Sequence, residues 1–181
     1  MTQSGQIEKD HLERTIAVFG GSGVAEGTPV YEDARRLGRL LAQAGYTVMN
    51  GGYYGTMAAV SRGAHQAGGR VIGVTVGIFN LRPNPWLDEE RRMDDYLPRL
   101  IHLATEPDGY VAVQGGIGTL TEVSVVWSLL QTNSIPRRLL ILMGEHWTRI
   151  LDVYRQETTM KENDLALVQV AATPEEAVDI L

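Results

Sequence analysis

Residues 111–122 read VAVQGGIGTLTE and decide the fold class that we predict for this chain. The apolar run 110–113 is typical of a buried strand in a parallel sheet. Glycines follow this run directly, and the apolar segment 120–130 has the length of a helix. A strand, a glycine turn and a helix in this order predict an anion site, because backbone N–H groups and the positive end of the helix dipole meet at the turn.

The candidate residues for this anion site are Gly115, Gly116, Gly118 and Thr119, whose hydroxyl adds a further hydrogen-bonding group. Glu122 comes about one helical turn later, so we expect it at the border of the site. A carboxylate beside a phosphate opposes binding, and its position therefore indicates chemistry next to the phosphate. The glycine spacing differs from the dinucleotide fingerprint, and the Gly-Lys-Ser/Thr ending of a P-loop is missing.

The rest of the chain alternates predicted strands and helices. We predict strands at 15–20, 46–49, 71–76, 138–143 and 167–170, and helices at 29–44, 56–67, 98–105, 146–160 and from 174 onward. This order predicts an α/β fold, with a single Rossmann-like, doubly wound and mostly parallel sheet that carries helices on both faces. Residues 77–90 form the longest irregular stretch, and we expect them to act as a lid or to contact a ligand.

Glycine turns also follow the first two predicted strands. The first contains Gly20, Gly21 and Ser22, and the second contains Gly51 and Gly52. Because ligands bind at the carboxyl edge of open parallel sheets, we predict that both turns contribute to a phosphate or nucleotide site. The plainer alternative is that strand-to-helix turns need glycines in any α/β protein.

Composition restricts the classes of function. The 181 residues are 44% hydrophobic and 21% charged, as in ordinary globular proteins, and no apolar stretch approaches the roughly 20 residues of a membrane helix. We expect residues 1–14 to be a flexible polar leader and residues 15–181 to form one nucleotide-binding domain. The lack of cysteine excludes disulfides and thiolate ligands and fits a cytoplasmic protein. The net charge of -6 argues against a nucleic-acid partner, and neither a membrane partner, a metal site nor a cofactor is predicted.

The pattern Gly115-Gly116-x-Gly118-Thr119-x-x-Glu122 resembles the Pro-Gly-Gly-x-Gly-Thr-x-x-Glu signature of the LONELY GUY, or lysine decarboxylase-like, family. Members of that family are Rossmann-like nucleoside 5′-monophosphate phosphoribohydrolases. The resemblance extends over residues 16–133. The family also has an arginine at a fixed distance before its signature, and in an alignment without gaps it falls on Arg99. Four neighbouring positions depart from the family pattern, namely Gln114, Pro98, Leu100 and Thr121.

The resemblance implies hydrolysis of the N-glycosidic bond of a nucleoside 5′-monophosphate, such as AMP or a cytokinin riboside monophosphate. It implies that the signature glycines and Thr119 hold the phosphate, and that Glu122 and Arg99 are catalytic. Arg99 stays protonated, so it orients other groups, and the general acid is unassigned. The alternative is a nucleotide or molybdenum-cofactor carrier of the same fold that performs no catalysis. Pyridoxal-phosphate chemistry is disfavoured, because no lysine lies in a supporting motif.

The partner that we predict for the chain is a second copy of itself, in a homodimer or a higher oligomer. The segment 120–130 is apolar almost all round, so a neighbour must cover its outer side. The corresponding helix lies at the dimer interface in the resembling family.

Several further residues keep two interpretations. Arg99 is either a site residue or an ordinary ion-pairing arginine, and Glu122 is either catalytic or an acid favoured by the helix dipole. Two acids either cap a helix or reach the site, and two histidines either pack or lie on the surface. Three aromatic residues either stack on a base or pack. These residues are Asp94, Asp95, His65, His102, Tyr53, Tyr54 and Trp86.

Overall fold

The computed structural model describes residues 14–181, and the predicted leader lies outside this range except for Arg14. The strands are β1 (Thr15–Phe19), β2 (Thr47–Asn50), β3 (Val71–Val76), β4 (Glu89–Met93), β5 (Gly109–Ala112), β6 (Leu139–Met143) and β7 (Val168–Ala171). The helices are α1 (Pro29–Gln43), α2 (Thr56–Gln66), α3 (Tyr96–Thr105), α4 (Ile117–Gln131), α5 (Glu145–Glu157), α6 (Glu162–Leu165) and α7 (Pro174–Ile180). A short 3₁₀ turn, Gly77–Phe79, follows β3.

The strands form one sheet in the order β4-β3-β2-β1-β5-β6-β7, and every neighbouring pair is parallel. The chain builds outward from β1 to β4 and then returns to the other side of β1, where Phe19 pairs with Ala112 of β5. The order therefore reverses between β1 and β5. In open parallel sheets the crevice beyond such a switch point is the place where ligands bind.

Successive residues of the central strands point into two separate cores. In β1, Ile16 and Val18 pack with residues of α1, α2 and α7. Ala17 and Phe19 pack on the opposite face with residues of α3, α4, α5 and α6. This alternation follows from the two-residue period of a strand. The predicted doubly wound α/β fold with helices on both faces is confirmed.

Local signals set the ends of α1 as predicted. The Thr28 hydroxyl accepts a hydrogen bond from Tyr31 N at 3.3 Å, and Pro29 occupies the first helical turn. Gly45 follows the helix with φ +86°, a conformation that glycine adopts at little cost.

The prediction of an irregular segment at 77–90 is wrong at its end, because Glu89 and Glu90 begin β4. This edge strand reads EERRM and carries no apolar run. Its residues alternate between half-buried and exposed. Pairing with β3 and ion pairs hold it in place, and Glu89 contacts both Arg70 and Arg91. Charged side chains are a common protection for an exposed sheet edge.

Two helix boundaries differ from the predicted ones by three residues each. Helix α4 begins at Ile117 rather than at residue 120, so Gly118 and Thr119 lie in its first turn. The predicted helix 146–160 ends at Glu157, and α6 follows as a separate turn. Within residues 14–181 no helix combines the length and the apolar character that crossing a bilayer requires.

Candidate functional site

Three glycine turns meet at the carboxyl edge of β1, β2 and β5. Gly21 N donates to Gln114 O at 3.2 Å, and Gly21 O accepts from Thr56 N at 3.0 Å. These two bonds join the turn after β1 to the turns after β5 and β2. The packing is close, because a Cβ atom on Gly55 would lie 2.2 Å from Gly21 O. Both backbone polar groups of Gly21 are therefore used in building the site.

A cavity of about 480 Å³ opens above these turns. Within the described part of the chain, its charged lining residues are Arg99 and Glu122, and much of the remaining wall is glycine backbone or aromatic and aliphatic side chain. The described residues that line it are Gly20, Gly21, Ser22, Tyr53, Tyr54, Met57, Phe79, Leu81, Tyr96, Arg99, Gly116, Ile117, Gly118, Thr119 and Glu122.

The first turn of α4 faces this cavity. The first backbone bond of the helix runs from Leu120 N to Gly116 O at 3.1 Å, so the three preceding N–H groups have no partner within the helix. The N-cap residue, Gly116, has no side chain that could accept a bond from these groups. Gly115 packs beneath the turn, where a Cβ atom would lie 2.1 Å from Thr119 Oγ1. Free N–H groups at the positive end of a helix dipole form a site suited to an anion.

Arg99 is buried and fixed by two backbone carbonyl groups. Its Nε donates to Val74 O at 2.7 Å, and its Nη2 donates to Gly51 O at 3.2 Å. The guanidinium also lies over the rings of Tyr53 and Phe79, at 5.8 and 5.9 Å from their centroids. Arg99 reaches this place from α3, which packs against α4 on the same face of the sheet.

Glu122 faces the remaining nitrogen of Arg99, with 4.0 Å between Nη1 and Oε1. The Glu122 side chain is 13% exposed, and its carboxylate makes no hydrogen bond to residues 14–181. Burial raises the pKa of Glu122 to about 7, and the nearby Arg99 charge opposes that rise only in part. The site therefore holds a carboxyl group that gains and loses its proton near neutral pH.

This raised pKa predicts a stability that depends on pH. The folded chain keeps the Glu122 proton up to about pH 7, whereas the unfolded chain loses it near the ordinary value of 4.5. The stabilisation is complete below that value and is lost as the pH rises through about 7. We expect Glu122→Gln to remove about 2–3 kcal/mol of the decrease in unfolding free energy between about pH 5 and about pH 8. Parallel urea-unfolding profiles for the two proteins would contradict this expectation.

The cavity brings together eight of the predicted site residues, namely Gly20, Gly21, Ser22, Arg99, Gly116, Gly118, Thr119 and Glu122. Three others lie behind its wall. Gly115 supports Thr119, and Gly51 supplies the carbonyl that accepts from Arg99. Gly52 N donates to Asn50 Oδ1 at 2.8 Å, so this N–H group is already used within the protein.

Most of the residues with two interpretations lie away from the cavity. His65 contacts Asp88 and Trp86, and His102 contacts Arg91. Asp94, Asp95 and Trp86 are absent from the lining, whereas Tyr53 and Tyr54 are part of it. Among residues 14–181 no group of three or more His, Cys, Asp or Glu side chains is arranged to hold a metal ion.

Sequence reasoning missed five lining residues: Met57, Phe79, Leu81, Tyr96 and Ile117. Phe79 and Leu81 lie in the segment that was expected to contact a ligand. Their individual places had no sequence signal, because an aromatic or aliphatic side chain in a loop is equally typical of packing. Ile117 is 81% exposed, and its place between two glycines of the predicted turn did not indicate that its side chain lines the cavity.

A family model described as "possible lysine decarboxylase" matches residues 57–181. The chain belongs to this lysine decarboxylase-like, or LONELY GUY, family. The resemblance inferred from the signature is thereby confirmed, and the signature residues lie together on the cavity wall and immediately beneath it.

Curated relatives in the family include plant proteins. The rice (Oryza sativa subsp. japonica) "Probable cytokinin riboside 5'-monophosphate phosphoribohydrolase LOGL5" is 33% identical over 136 residues, or 72% of this chain and 55% of the relative. The rice LOGL2 protein, with the same descriptive name, is 29% identical over 93% of this chain and 72% of its own length. This chain therefore spans little more than half of LOGL5.

Solved structures share the fold over nearly the whole chain. The X-ray structure of the structural-genomics target TM1055 is 32% identical, with a TM-score of 0.75, and covers 92% of this chain and 97% of its own. The molybdenum cofactor carrier protein from Chlamydomonas reinhardtii is 26% identical, with a TM-score of 0.73 and coverages of 92% and 94%. Fold and family are thus compatible with both an enzyme and a carrier.

Proposed function

We propose that this protein hydrolyses the N-glycosidic bond of a nucleoside 5′-monophosphate, such as AMP or a cytokinin riboside monophosphate, and releases the free base and ribose 5-phosphate. The observation that carries this proposal is the buried Glu122 carboxyl group, which lies beside the anion-binding end of α4 and lacks a hydrogen-bond partner among residues 14–181. The names of the plant relatives support the same reaction.

The first turn of α4 is the place that we assign to the 5′-phosphate. Gly116 and Gly118 leave the backbone open, since a Cβ atom at either position would meet nothing within 4 Å. Thr119 and Ser22 add hydroxyl groups to the same wall. Charge-assisted hydrogen bonds from these donors to a phosphate are stronger than neutral ones.

Glu122 acts on the sugar in this proposal. Cleavage of the bond between C1′ and the base nitrogen develops positive charge on the ribose, and an ionised carboxylate in a buried site stabilises that charge. The same carboxylate is able to accept a proton from the attacking water. Arg99 orients Glu122 and the substrate, because its guanidinium keeps its protons and cannot serve as the acid.

The base is assigned to the apolar side of the cavity. Tyr54, Phe79, Leu81 and Ile117 line this side, and each is at least 40% exposed. Flat aromatic rings offer stacking surface to a base, and the exposed rim leaves room for an apolar substituent. Among residues 14–181, no Asp, Asn, Gln, Lys or His side chain lines the cavity and would read the polar edges of a base.

A carrier is the second candidate, and the fold of the Chlamydomonas carrier protein supports it. The departures at Gln114, Pro98, Leu100 and Thr121 agree with a change of function. Two properties of the cavity favour the enzyme. A buried carboxylate next to an anion site weakens binding, and a pterin rich in polar groups would find few polar side chains here.

The deciding experiment is incubation of the protein with a panel of nucleoside 5′-monophosphates, followed by chromatography for free base. We expect base and ribose 5-phosphate to appear in equal amounts. If no member of the panel releases base, the enzyme is excluded for those substrates and the carrier is favoured. A parallel incubation with adenosine tests whether the 5′-phosphate is required.

We further propose that the chain forms a homodimer through the outer side of α4. Ser124 and Ser128 are exposed there, and the surface around them is an open groove lined by Ile117, Leu120 and Val125. Light scattering at micromolar concentration should give twice the mass of one chain. Ser124→Asp should give a monomer, while Gln169→Glu, on the exposed side of β7, should not. A monomeric wild type would contradict the proposal.

A cytoplasmic location also remains a prediction from the sequence.

A further inference from the structure

Asn50 is a buried polar residue that neither the signature nor the cavity lining includes. It ends β2 and is 0% exposed. Both ends of its carboxamide are used: Oδ1 accepts from Gly52 N at 2.8 Å, and Nδ2 donates to Ser61 Oγ at 2.9 Å. A second contact holds the same turn, because Asn84 N donates to Gly52 O at 2.8 Å.

The turn that Asn50 holds also binds the side chain of Arg99. Gly51 O accepts from Arg99 Nη2, and a Cβ atom on Gly51 would lie 2.2 Å from that nitrogen. Gly52 has φ +78°, one of several conformations open to glycine, so its contacts with Asn50 and Asn84 select this one. Arg99 Nη1 then remains directed at Glu122. A chain of direct contacts thus runs from Asn50 through the glycine turn to the charged pair.

We infer that Asn50 is a positioning residue: its carboxamide fixes the Gly51–Gly52 turn so that the Gly51 carbonyl holds the Arg99 guanidinium opposite Glu122. The inference rests on the proposed function only where it calls this pair catalytic. Asparagine suits the position because one short, uncharged side chain supplies an acceptor for Gly52 N–H and a donor for Ser61. An aliphatic residue would leave the buried Gly52 N–H group without a partner.

The position of Arg99 affects the proton affinity of Glu122. The positive charge lowers the carboxyl pKa, and this effect weakens as the two groups separate. An increase from about 4 Å to about 6 Å, at the effective dielectric constant usual for protein sites, corresponds to about one pH unit. Loss of the Asn50 support should therefore raise the Glu122 titration midpoint.

The test is a carboxyl-carbon NMR titration of Glu122 in the full chain, with the signal assigned through Glu122→Gln. We expect Asn50→Ala to raise the midpoint by about one pH unit and to lower kcat more than it changes KM. If Asn50→Ala does not fold, the same midpoint is measured in Asn50→Ser, which keeps a hydroxyl group in the space of the amide. An unchanged midpoint in the folded variant would overturn the inference.

Ser61→Ala is the matched control, because it removes the hydroxyl that accepts from Asn50 Nδ2 and from Asn84 Nδ2 but leaves the bond from Gly52 N to Asn50 Oδ1 in place. We expect this variant to melt at a lower temperature with an unchanged midpoint. A midpoint shift as large as that of Asn50→Ala would refute the assignment to the Gly52 contact. The titration requires no turnover, so a wild type that releases no base would contradict the proposed function and leave this test intact.

Discussion

Glu122→Gln is expected to lower kcat for base release by about 10²-fold or more while AMP binds at least as tightly as before, because the carboxylate opposes the phosphate. The amide fills the same space, but it cannot carry the negative charge that opposes the developing positive charge on the ribose. In the proposed site the phosphate binds to the first turn of α4, which the change leaves intact. Stopped assays with chromatographic detection of the base give kcat, and calorimetry with AMP gives affinity.

The pH dependence of turnover adds a second measurement for the same residue. Since the ionised carboxylate is the active form, wild-type kcat should rise as the pH increases through about 7, where Glu122 loses its proton. The residual rate of the Gln variant should lack this step. Glu145→Gln is the matched control, because Glu145 is an exposed acid in the first turn of α5. Turnover by Glu122→Gln at the wild-type rate would overturn the mechanism.

Arg99→Ala should also slow turnover, with some loss of affinity. The change removes the charge that lowers the Glu122 pKa, so more of the carboxyl group is protonated at neutral pH. If the wild type releases no base and Glu122→Gln changes affinity alone, the protein is a carrier. The two mutants together therefore separate a charge effect on the sugar from a simple effect on binding.

The fold is predictable from the sequence, because the signals for its strands, turns and helices are local. Apolar strands of four to six residues, most of them followed by glycine and then by a helix-length segment, allow few arrangements other than a parallel doubly wound sheet. The sequence did not predict strand β4, because this edge strand has little apolar surface and therefore no apolar run in its sequence. Its pairing with β3 becomes visible only once the rest of the sheet exists.

The sequence predicted a residue's place in the cavity wall where that place follows from its position in a turn, as at Gly118. It was not predictable where the role depends on contacts from distant parts of the chain. Gly52 looked like a phosphate donor, but its N–H group is bound to Asn50. The raised pKa of Glu122 likewise depends on burial in the folded protein, and the Arg99 charge that opposes this rise is anchored to β3 and to the turn after β2.

AMP should bind at least about 10²-fold more tightly than adenosine, since two charge-assisted hydrogen bonds from the first turn of α4 are together worth about 3 kcal/mol or more. Gly118→Ala tests the location of that phosphate. A methyl group at Gly118 meets no protein atom within 4 Å, so the protein should fold normally while the phosphate loses room. Calorimetry should show weaker AMP binding and unchanged adenosine binding. Gly23→Ala has equally free space outside the cavity lining and should leave both affinities unchanged. Equal affinity of the wild type for the two ligands would contradict the assignment of the phosphate to this turn.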